Sequence, residues 1–411
     1  MSAAAISLAL AALATNTATA ATTDDASDMF MEIAAEADIV GLGESVHATS
    51  GYAAERNALT RRLIEEAGFT LVLLETPRLR AMPATRYVDA QSPREWAAAW
   101  PTFYRVWQST EIAYFLEWTR RHNAAVAKRG GQRVVFMGYD IREAHLARRV
   151  LEERAGSSVN VDLALEAVDT CKIPATDDEE DAFERAAWAG ALEQVKSSAV
   201  ALWDCSEAFG RARAGVTDPE LYLAITTLKA WTGMLAKGAG ADPRSGDEQR
   251  DAGLADSVRA IRAMLGNPKT VIWAHNWHIA TSMDEVSFSE TALRGRTMLG
   301  NRLKRELGDK YLAIGLIAHE VATCFSGQKG PLSFSEPAGS LEDRLRAMGK
   351  KRVLVTALPT GERMRFSTMF REDGPEGEAI TATGEPLAAF DALWFVDSVR
   401  SQTYPQGTRC D

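Results

Sequence analysis

Seven short apolar runs, rich in Val, Ile and Leu, recur along the chain and are separated by more polar stretches. Within each run the apolar residues are continuous rather than alternating, which is typical of strands buried on both faces of a parallel sheet. The runs, in chain order, are DIVGL from Asp38, TLVLLE at 70–75, RVVFMG at 133–138, TVIWAH at 270–275, YLAIGLIA at 311–318, RVLVTAL at 352–358 and ALWFVD at 392–397. The pattern predicts a buried strand at each of them.

The segment between the first two runs has a different period. In AAERNALTRRLIEEAG, at 53–68, the residues Leu59, Leu63 and Ile64 recur at helical spacing, and Gly68 stands where a helix C-terminal cap is expected. Strands that alternate with helices in this way indicate βαβ units. The fold class that we predict is α/β, with a three-layer α/β/α core, a mostly parallel sheet and a large helical insertion.

The insertion accounts for the predicted domain organisation. Residues 142–265 have helical periodicity and no strand-like run, so we assign them to a helical insertion that either walls a substrate cleft or is a purely structural bundle. Residues 30–141 and 266–400 then form the α/β core, and 401–411 form a C-terminal tail. A chain of 411 residues is long enough for one large domain with such an insertion.

The first 24 residues and the cysteines bear on the cellular compartment. AISLALAALATNTATA is apolar and ends in Ala18-Thr19-Ala20, an A-x-A pattern typical of a secretory cleavage site, although no basic residue precedes it. Residues 1–24 are therefore either a signal peptide or a disordered tail. The four cysteines suit two disulfides and form no C-x-x-C unit: Cys171, Cys205, Cys324 and Cys410. We expect a periplasmic or secreted protein, with the cytoplasm as the alternative.

Charge and hydropathy narrow the range of partners. The formal net charge of -10 argues against a nucleic-acid-binding protein, which usually has a basic face. No apolar run is long enough to span a bilayer, so we expect no integral membrane segment. These features leave a small molecule as the expected partner, and they do not predict the oligomeric state.

Ionisable residues follow four of the predicted strands. In open parallel sheets ligands bind beyond the carboxyl ends of the strands, so side chains placed there are expected to meet at one edge. Three of the six histidines in the chain stand at these positions. The residues, in chain order, are Glu44 and His47, Glu75, Asp140, and His275 followed by His278.

A cluster of imidazoles and carboxylates favours proton-transfer chemistry. A neutral histidine can take a proton from water, a carboxylate can orient its ring, and a second histidine can assist at the leaving group or the carbonyl. This combination suits ester hydrolysis by activated water. No G-x-S-x-G motif is present, so a conventional serine hydrolase is disfavoured and we expect Ser45 to act as a cap or to form a loop hydrogen bond.

Metal-dependent catalysis is an alternative reading of the same residues. His47, Glu75, His275 and His278 are side chains of the types that bind zinc. However, no H-E-x-x-H motif occurs, and His275 and His278 are three residues apart rather than four.

Several stretches resemble the erythromycin esterase family, in the same order and over residues 35–400. They are GLGESVHATSGY, ERNALTRRLIEEAGFTLVLLE, VWQSTEIAYFLEWTRRHN, VVFMGYD, RDAGLADSVRAI, VIWAHNWHI, TMLGNRLKRELGDKYLAIGL and FDALWFVD. The resemblance implies a three-layer α/β core with helical additions. It also implies a hydrolase without metal or other cofactor, in which a histidine activates water to open an ester or a lactone.

The resemblance also assigns site residues. The G-E-x-x-H element implies that His47 is the general base, beside Glu44, with Glu75 as the strand-end acid and His275 as the histidine of the W-A-H-N segment. Either Glu44 or Glu75 is expected to orient His47. The residues expected to bind substrate are Arg56, Arg250 and His278, which match the family, together with Asp140, which is expected from its place at the end of a strand. The two arginines would grip a carboxylate or a developing oxyanion; the competing interpretation of the arginines is structural ion pairing.

Three positions depart from the family pattern. Trp277 stands where a small residue is expected, and Gly253 and Asp256 stand where Met and Asn are commoner. We expect these positions near the cleft, where they bear on the substrate more than on the catalytic residues. A macrolide lactone is thus one substrate among several. The alternatives are a metal-dependent hydrolase with the same ligands and a non-catalytic protein that binds metal or haem, as in similar-looking metal-using branches.

Overall fold

The computed structural model describes residues 23–89, 104–188, 193–238, 245–284, 286–288, 295–324, 331–358, 363–370 and 379–403. The strands are β1 Ile39–Leu42, β2 Leu71–Pro77, β3 Val135–Asp140, β4 Thr270–Trp273, β5 Val286–Phe288, β6 Tyr311–Thr323, β7 Leu332–Ser335, β8 Arg352–Val355, β9 Met364–Phe370, β10 Ala379–Gly384 and β11 Ala392–Val399.

The helices, in the same chain order, are α1 Thr23–Ala34, α2 Ser50–Ala67, α3 Arg78–Val88, α4 Thr110–Ala127, α5 Ala144–Glu152, α6 Val159–Thr170, α7 Asp177–Trp188, α8 Glu193–Arg213, α9 Pro219–Gly238, α10 Ser245–Met264, α11 Asn276–Ile279, α12 Leu299–Leu307, α13 Leu341–Ala347 and α14 Pro386–Ala389.

The main sheet has the strand order β3-β2-β4-β1-β6-β11-β8, with β7 paired to β6. All pairs from β3 to β11 along this order are parallel, and only β7 and β8 run antiparallel to their neighbours. Each of the seven apolar runs forms one strand of this sheet. The prediction of an α/β fold with a mostly parallel sheet is confirmed.

Helices cover both faces of the sheet. On one face the side chains of α1, α2 and α4 pack with the strands in a core that includes Phe30, Leu63 and Phe115. On the other face α10, α12 and α13 form a second core around Leu254 and Leu299. Strands β1, β2 and β4 are buried along their whole length, which explains why their sequences are continuously apolar.

The chain between β3 and β4 consists of helices α5 to α10 in the described ranges. Helices α5 to α9 have their own hydrophobic core, in which Phe209, Leu228 and Trp231 are fully buried. A disulfide joins Cys171, just after α6, to Cys205 in α8 across 34 residues. These helices occupy the segment predicted as the insertion, and the disulfide constrains two of them relative to each other.

The remaining cysteines and the termini can be placed only in part. Cys324 is also disulfide-bonded, whereas Cys410 lies outside the described residues, as do residues 1–22 and 404–411. The predicted cleavage site after Ala20 therefore falls outside the described residues, whereas Thr23 and Asp24, at the end of the predicted segment 1–24, begin α1. Within the described ranges, no helix is both long and apolar enough to cross a bilayer.

A second sheet was not predicted. Strands β5, β10 and β9 pair antiparallel in that order, and part of this sheet packs against the second core through Val286, Phe366 and Ala382. Its strands are short, and the pairing of β5 with β10 joins segments that lie far apart in the chain. Their sequences also lack the continuous apolar runs that identified the main sheet.

Candidate active site

The strand register aligns the C-terminal ends of four parallel strands. Leu42 of β1 is paired with Trp273 of β4, which is also paired with Leu74 of β2, and Leu74 with Gly138 of β3. The residues that follow this row therefore emerge at one edge of the sheet. They are Glu44 after β1, Glu75 in β2, Asp140 at the end of β3 and His275 after β4.

A bulge in β2 lies at the same level. Between Leu74 and Pro77 strand β2 advances three residues while β3 advances two, from Gly138 to Asp140. A β-bulge of this kind changes the direction of side chains near the end of a strand, and here it includes Glu75. Gly138 permits the close approach, because a Cβ at this position would lie 2.4 Å from the carbonyl oxygen of Thr76.

Glu44 and His47 form a direct hydrogen bond. Nδ1 of His47 lies 2.6 Å from Oε1 of Glu44, whose side chain is 1% exposed, whereas the imidazole is 20% exposed. The ring of His47 packs edge-on against Trp107 at 5.1 Å and against His275 at 5.2 Å between centroids. The bond to the carboxylate places the Nδ1 proton between the two side chains and the basic lone pair on Nε2.

Arg56 lies behind Glu44, away from the surface. Its Nη2 is 2.8 Å from Oε2 of Glu44, and its side chain is 1% exposed. The guanidinium lies over the rings of Trp107 and Trp273, at 5.0 and 5.6 Å from their centroids. Its Nε and Nη1 have no hydrogen-bond acceptor among the described residues, so these cation–π contacts are their main interaction. The structure thus places Arg56 beneath the carboxylate of Glu44, with its side chain 1% exposed.

The loop that carries Glu44 is fixed by Asn276. The backbone N–H of Asn276 donates to the carbonyl of Glu44 at 2.8 Å, and its amide side chain bonds both the N–H and the C=O of Leu316 in β6. Gly43 makes room for this amide, since a Cβ there would lie 1.9 Å from Oδ1 of Asn276. After His47 the backbone turns through Ala48, whose φ of 60° lies in the left-handed region.

Both ring nitrogens of His275 are bonded to the backbone. Nδ1 accepts from the N–H of Trp277 at 3.2 Å, so Nε2 carries the proton and donates to the carbonyl of Ser45 at 3.0 Å. Burial, and secondarily the charge of His47, lowers the pKa of His275 to about 3. The expected assistance at a leaving group is not available to a ring held in this way; His275 instead ties the start of α11 to the loop between Glu44 and His47.

A second network surrounds Glu75. Its Oε1 accepts from Nε2 of His278 and from Nη2 of Arg250, each at 3.1 Å, and its Oε2 accepts from the backbone N–H of His275 at 2.9 Å. Although burial raises the pKa of Glu75, the charges of His278, His47 and Arg250 hold it well below the usual value. Glu44 is the residue bonded to His47, so of the two acids expected to orient that ring Glu44 does so.

Arg250 is the most accessible of the four residues expected to bind substrate. Its Nη2 donates to Oδ2 of Asp140 at 2.6 Å and its side chain is 17% exposed, compared with 0% for Asp140, 1% for Arg56 and 9% for His278. We therefore retain a direct contact with substrate for Arg250 alone among the four. Asp140 holds its guanidinium in place.

Asp251 was not predicted from the sequence. Its carboxylate is fully buried, both oxygens lie 2.9 Å from Nδ1 of His278, and Oδ1 accepts from the backbone N–H of Leu299 at the start of α12. Although burial lowers the pKa of His278, Asp251 and Glu75 raise it to about 10. His278 is thus an imidazolium held between two carboxylates. The adjacency of Asp251 to Arg250 was the one available signal.

Ser45 and the residues that depart from the family pattern lie outside the reacting cluster. The hydroxyl of Ser45 bonds that of buried Tyr52 at 2.7 Å. Trp277 is 6% exposed and packs into the second core, and a Cβ at Gly253 would lie 2.7 Å from Cβ of Ala230 in α9. Asp256 pairs with Arg259 on the same helix. Core and helix packing account for Trp277 and Gly253, and the expected influence of the three positions on the substrate stays a prediction.

The charged side chains at this edge of the sheet are paired with one another. The carboxylates of Glu44, Glu75, Asp140 and Asp251 each face an arginine or an imidazole, and the described ranges contain no group of three or more His, Cys, Asp or Glu side chains arranged to hold a metal ion. The arrangement does not fit a resident metal without rearrangement of these ion pairs.

Fold and site together define a class: an α/β protein with a buried acid–imidazole cluster at the carboxyl edge of a parallel sheet. The model of the Erythromycin esterase family matches residues 64–399. The chain belongs to the erythromycin esterase family, and this membership indicates an esterase-like hydrolase that acts on a small molecule. The matched range begins after Glu44, His47 and Arg56.

Three solved structures are similar in fold. A succinoglycan biosynthesis protein is 18% identical, with a TM-score of 0.72 over 91% of each chain. A protein from Bacillus cereus is 20% identical, with a TM-score of 0.70 over 93% of this chain and 94% of that one. A mutant of the erythromycin esterase EreC in its open conformation is 17% identical, with a TM-score of 0.57 over 91% and 94%.

Proposed function

We propose that this chain hydrolyses a carboxylic ester or a lactone and that His47 takes the proton from the attacking water. The observation that carries the proposal is the 2.6 Å bond from His47 to Glu44, whose other oxygen is held by Arg56. The imidazole is the most exposed of the three side chains, and membership of the erythromycin esterase family supports the reaction class.

The reaction follows from the tautomer of His47. Nε2 takes a proton from water while the water oxygen bonds to the carbonyl carbon, which gives a tetrahedral oxyanion and an imidazolium. The carboxylate of Glu44 stabilises the imidazolium through the Nδ1 proton. As the tetrahedral intermediate collapses, the bond to the leaving oxygen breaks and the imidazolium returns its proton to that oxygen. The products are a carboxylic acid and an alcohol, or a hydroxy acid from a lactone.

Arg250 is the donor that we assign to the developing oxyanion. Its guanidinium is partly exposed at the same edge and is fixed by Asp140 and Glu75, so little reorganisation is needed when charge develops on the substrate. His278 and Asp251 are positioning residues in this account, because they hold Glu75. His275 is also a positioning residue, through its bond to the carbonyl of Ser45.

A macrolide lactone is one candidate substrate among small esters and lactones, and the site proposed here is common to all of them. We further propose a periplasmic or secreted location. The disulfide between Cys171 and Cys205 supports it, since such bonds persist in oxidising compartments.

Isotope labelling tests the reaction class. The purified chain is incubated in H₂¹⁸O with a panel of aryl esters, alkyl esters and lactones that includes erythromycin, with and without a chelator. We expect at least one acid product with a single ¹⁸O in its carboxylate, at the same rate in both conditions. Loss of activity on chelation would favour the metal-dependent alternative, and no turnover on the whole panel would contradict the proposed function.

A further inference from the structure

Two hydrogen bonds to a buried glutamate hold the guanidinium of Arg142 beside the proposed site. It follows Asp140, the last residue of β3, by two positions, and its Nε and Nη2 donate to Oε2 of Glu184 at 3.0 and 2.5 Å. Glu184, on α7, is 3% exposed, and its Oε1 accepts from the indole N–H of Trp231 at 2.8 Å. Two buried side chains of the helical segment therefore fix the direction of this guanidinium.

A continuous set of contacts connects the backbone of Arg142 to the proposed base. The hydroxyl of Tyr104 donates to the carbonyl of Arg142 at 3.3 Å, and the carbonyl of Tyr104 accepts from the N–H of Trp107, whose ring packs against His47. Burial and the charge of Arg250 act to lower the pKa of Arg142, but Tyr104 and Glu184 outweigh them and hold it above its usual value. Arg142 thus lies on the rim of the site.

At this rim the two arginines reach the surface farther than the carboxylates that they bond. The side chain of Arg142 is 42% exposed and that of Arg250 is 17% exposed. Their carboxylate partners lie beneath them: Glu184 is 3% exposed, Glu75 6% and Asp140 0%. A substrate that approaches these two arginines meets their guanidinium groups before the carboxylates of Glu184, Glu75 and Asp140.

We propose that Arg142 contacts the substrate and that the site prefers esters that carry a negatively charged group, such as the free carboxylate of a half-ester of a dicarboxylic acid. Within the described ranges Nη1 of Arg142 has no acceptor, so it can donate to that group while Nε and Nη2 remain on Glu184. The inference rests on the proposed function, since it names the substrate class of the same site.

Two substrates of matched shape test the preference. The 4-nitrophenyl half-ester of glutaric acid carries a free carboxylate, and 4-nitrophenyl valerate is its neutral counterpart. We expect the half-ester to have the higher kcat/KM, with an advantage that falls as the salt concentration rises. The ratio of the two kcat/KM values should fall about tenfold in Arg142→Gln/Glu184→Gln, because a hydrogen bond between charged groups is lost.

The double variant avoids an unpaired carboxylate, which Arg142→Gln alone would leave buried. The melting curve of the double variant reports whether it folds. If it does not fold, the ratio is measured in Arg142→Lys, which keeps the positive charge but not the planar guanidinium. The matched control is Arg149→Gln on α5, an exposed arginine 3.6 Å from Glu153, which should leave the ratio unchanged. An equal or higher kcat/KM for the neutral ester in the unmodified chain, or an unchanged ratio in the double variant, overturns the inference.

A binding measurement separates this inference from the proposed function. Glutarate, titrated calorimetrically into the unmodified chain, should bind more tightly than its neutral diamide, and the difference should shrink in the double variant. Selective glutarate binding without hydrolysis of any ester contradicts the proposed function and supports the charge preference. Hydrolysis of both esters at equal kcat/KM supports the proposed function and contradicts the charge preference.

Discussion

Glu44 joins Arg56 to His47. One carboxylate oxygen lies 2.8 Å from Nη2 of the arginine, and the other lies 2.6 Å from Nδ1 of the histidine. The arginine and the acid are each 1% exposed, whereas the imidazole is 20% exposed. A permanent charge in the core thus fixes the carboxylate that orients the proposed base.

Glu44→Gln should reduce kcat sharply with little change in KM. A glutamine amide can donate to Nδ1 and so impose the opposite tautomer on His47, with the proton on Nε2. We expect a fall in kcat of about 10³ to 10⁴, similar to the loss of the orienting aspartate in a serine-protease triad. Steady-state kinetics on a hydrolysed ester provide the measurement. The control is Glu66→Gln, an exposed acid on the same helix as Arg56; retention of more than a tenth of kcat in Glu44→Gln would be inconsistent with the account.

Arg56→Met should destabilise the fold. Removing the guanidinium leaves the carboxylate of Glu44 buried without its cation, which typically costs about 3 to 5 kcal/mol in the free energy of unfolding. Arg62→Gln, two turns further along α2, loses only half-exposed ion pairs with Asp28 and Glu66 and should cost about 1 kcal/mol or less. Urea unfolding of both variants compares them. Equal costs would mean that Arg56 does not support Glu44.

The sequence was sufficient to predict the main sheet and much of the cluster at its edge. Continuous apolar runs identify strands buried on both faces, and parallel strands deliver the residues that follow them to one edge. For this reason the proximity of Glu44, Glu75, Asp140 and His275 could be expected before the structure. The C-terminal cap of α2 at Gly68, where φ is 73°, was likewise predicted from the local sequence.

Other features depend on contacts that no local pattern contains. Asp251 lies within helix α10 and reaches His278 only because of how that helix packs against the sheet. The exposure of an arginine side chain likewise depends on the packed fold. Arg56 and Arg250 were assigned the same role from the sequence, but Arg56 is buried and Arg250 is partly exposed. The bond from His275 to the carbonyl of Ser45 spans 230 residues, so the role of the ring was not predictable from its position after a strand.

Gly43→Ala should lower activity as well as stability. The added methyl group would lie 1.9 Å from Oδ1 of Asn276, so the amide that fixes the Glu44 loop must move. Gly68→Ala is a useful comparison, because that position has a positive φ but no atom within 4 Å, and its cost of about 1 kcal/mol is purely conformational. Both variants should melt at lower temperature, but only Gly43→Ala should have a reduced kcat per folded molecule. A normal kcat in Gly43→Ala would show that the position of the Glu44 loop does not affect catalysis.

The pH dependence of stability should differ for the two histidines near Glu75. The pKa of His278 is about 10 in the folded chain and about 6.5 when unfolded. Its ionisation therefore stabilises the fold fully below about pH 6.5, and this contribution is lost as the pH rises through about 10. In His278→Gln the free energy of unfolding should vary less between pH 7 and pH 10, as measured by urea unfolding.

His275 provides the opposite case. Its pKa of about 3 in the folded chain lies below the unfolded value, so its contribution is present above about pH 6.5 and is lost as the pH falls towards 3. His275→Gln should flatten the acid side of the stability profile and leave the alkaline side unchanged. An alkaline effect of His275→Gln, or an acid effect of His278→Gln, would reverse the assignment of charge to these two rings.

Chemical rescue of His47→Ala tests the central claim most directly. The imidazole of His47 is partly exposed, so free imidazole can occupy the space that the substitution leaves. We expect ester hydrolysis to fall about 10² to 10⁴-fold in His47→Ala and to recover, with saturation, as imidazole is added and the reaction in imidazole alone is subtracted. The unmodified chain should show no such increase. Undiminished hydrolysis by His47→Ala in the presence of chelator would contradict the assignment of His47 as the base.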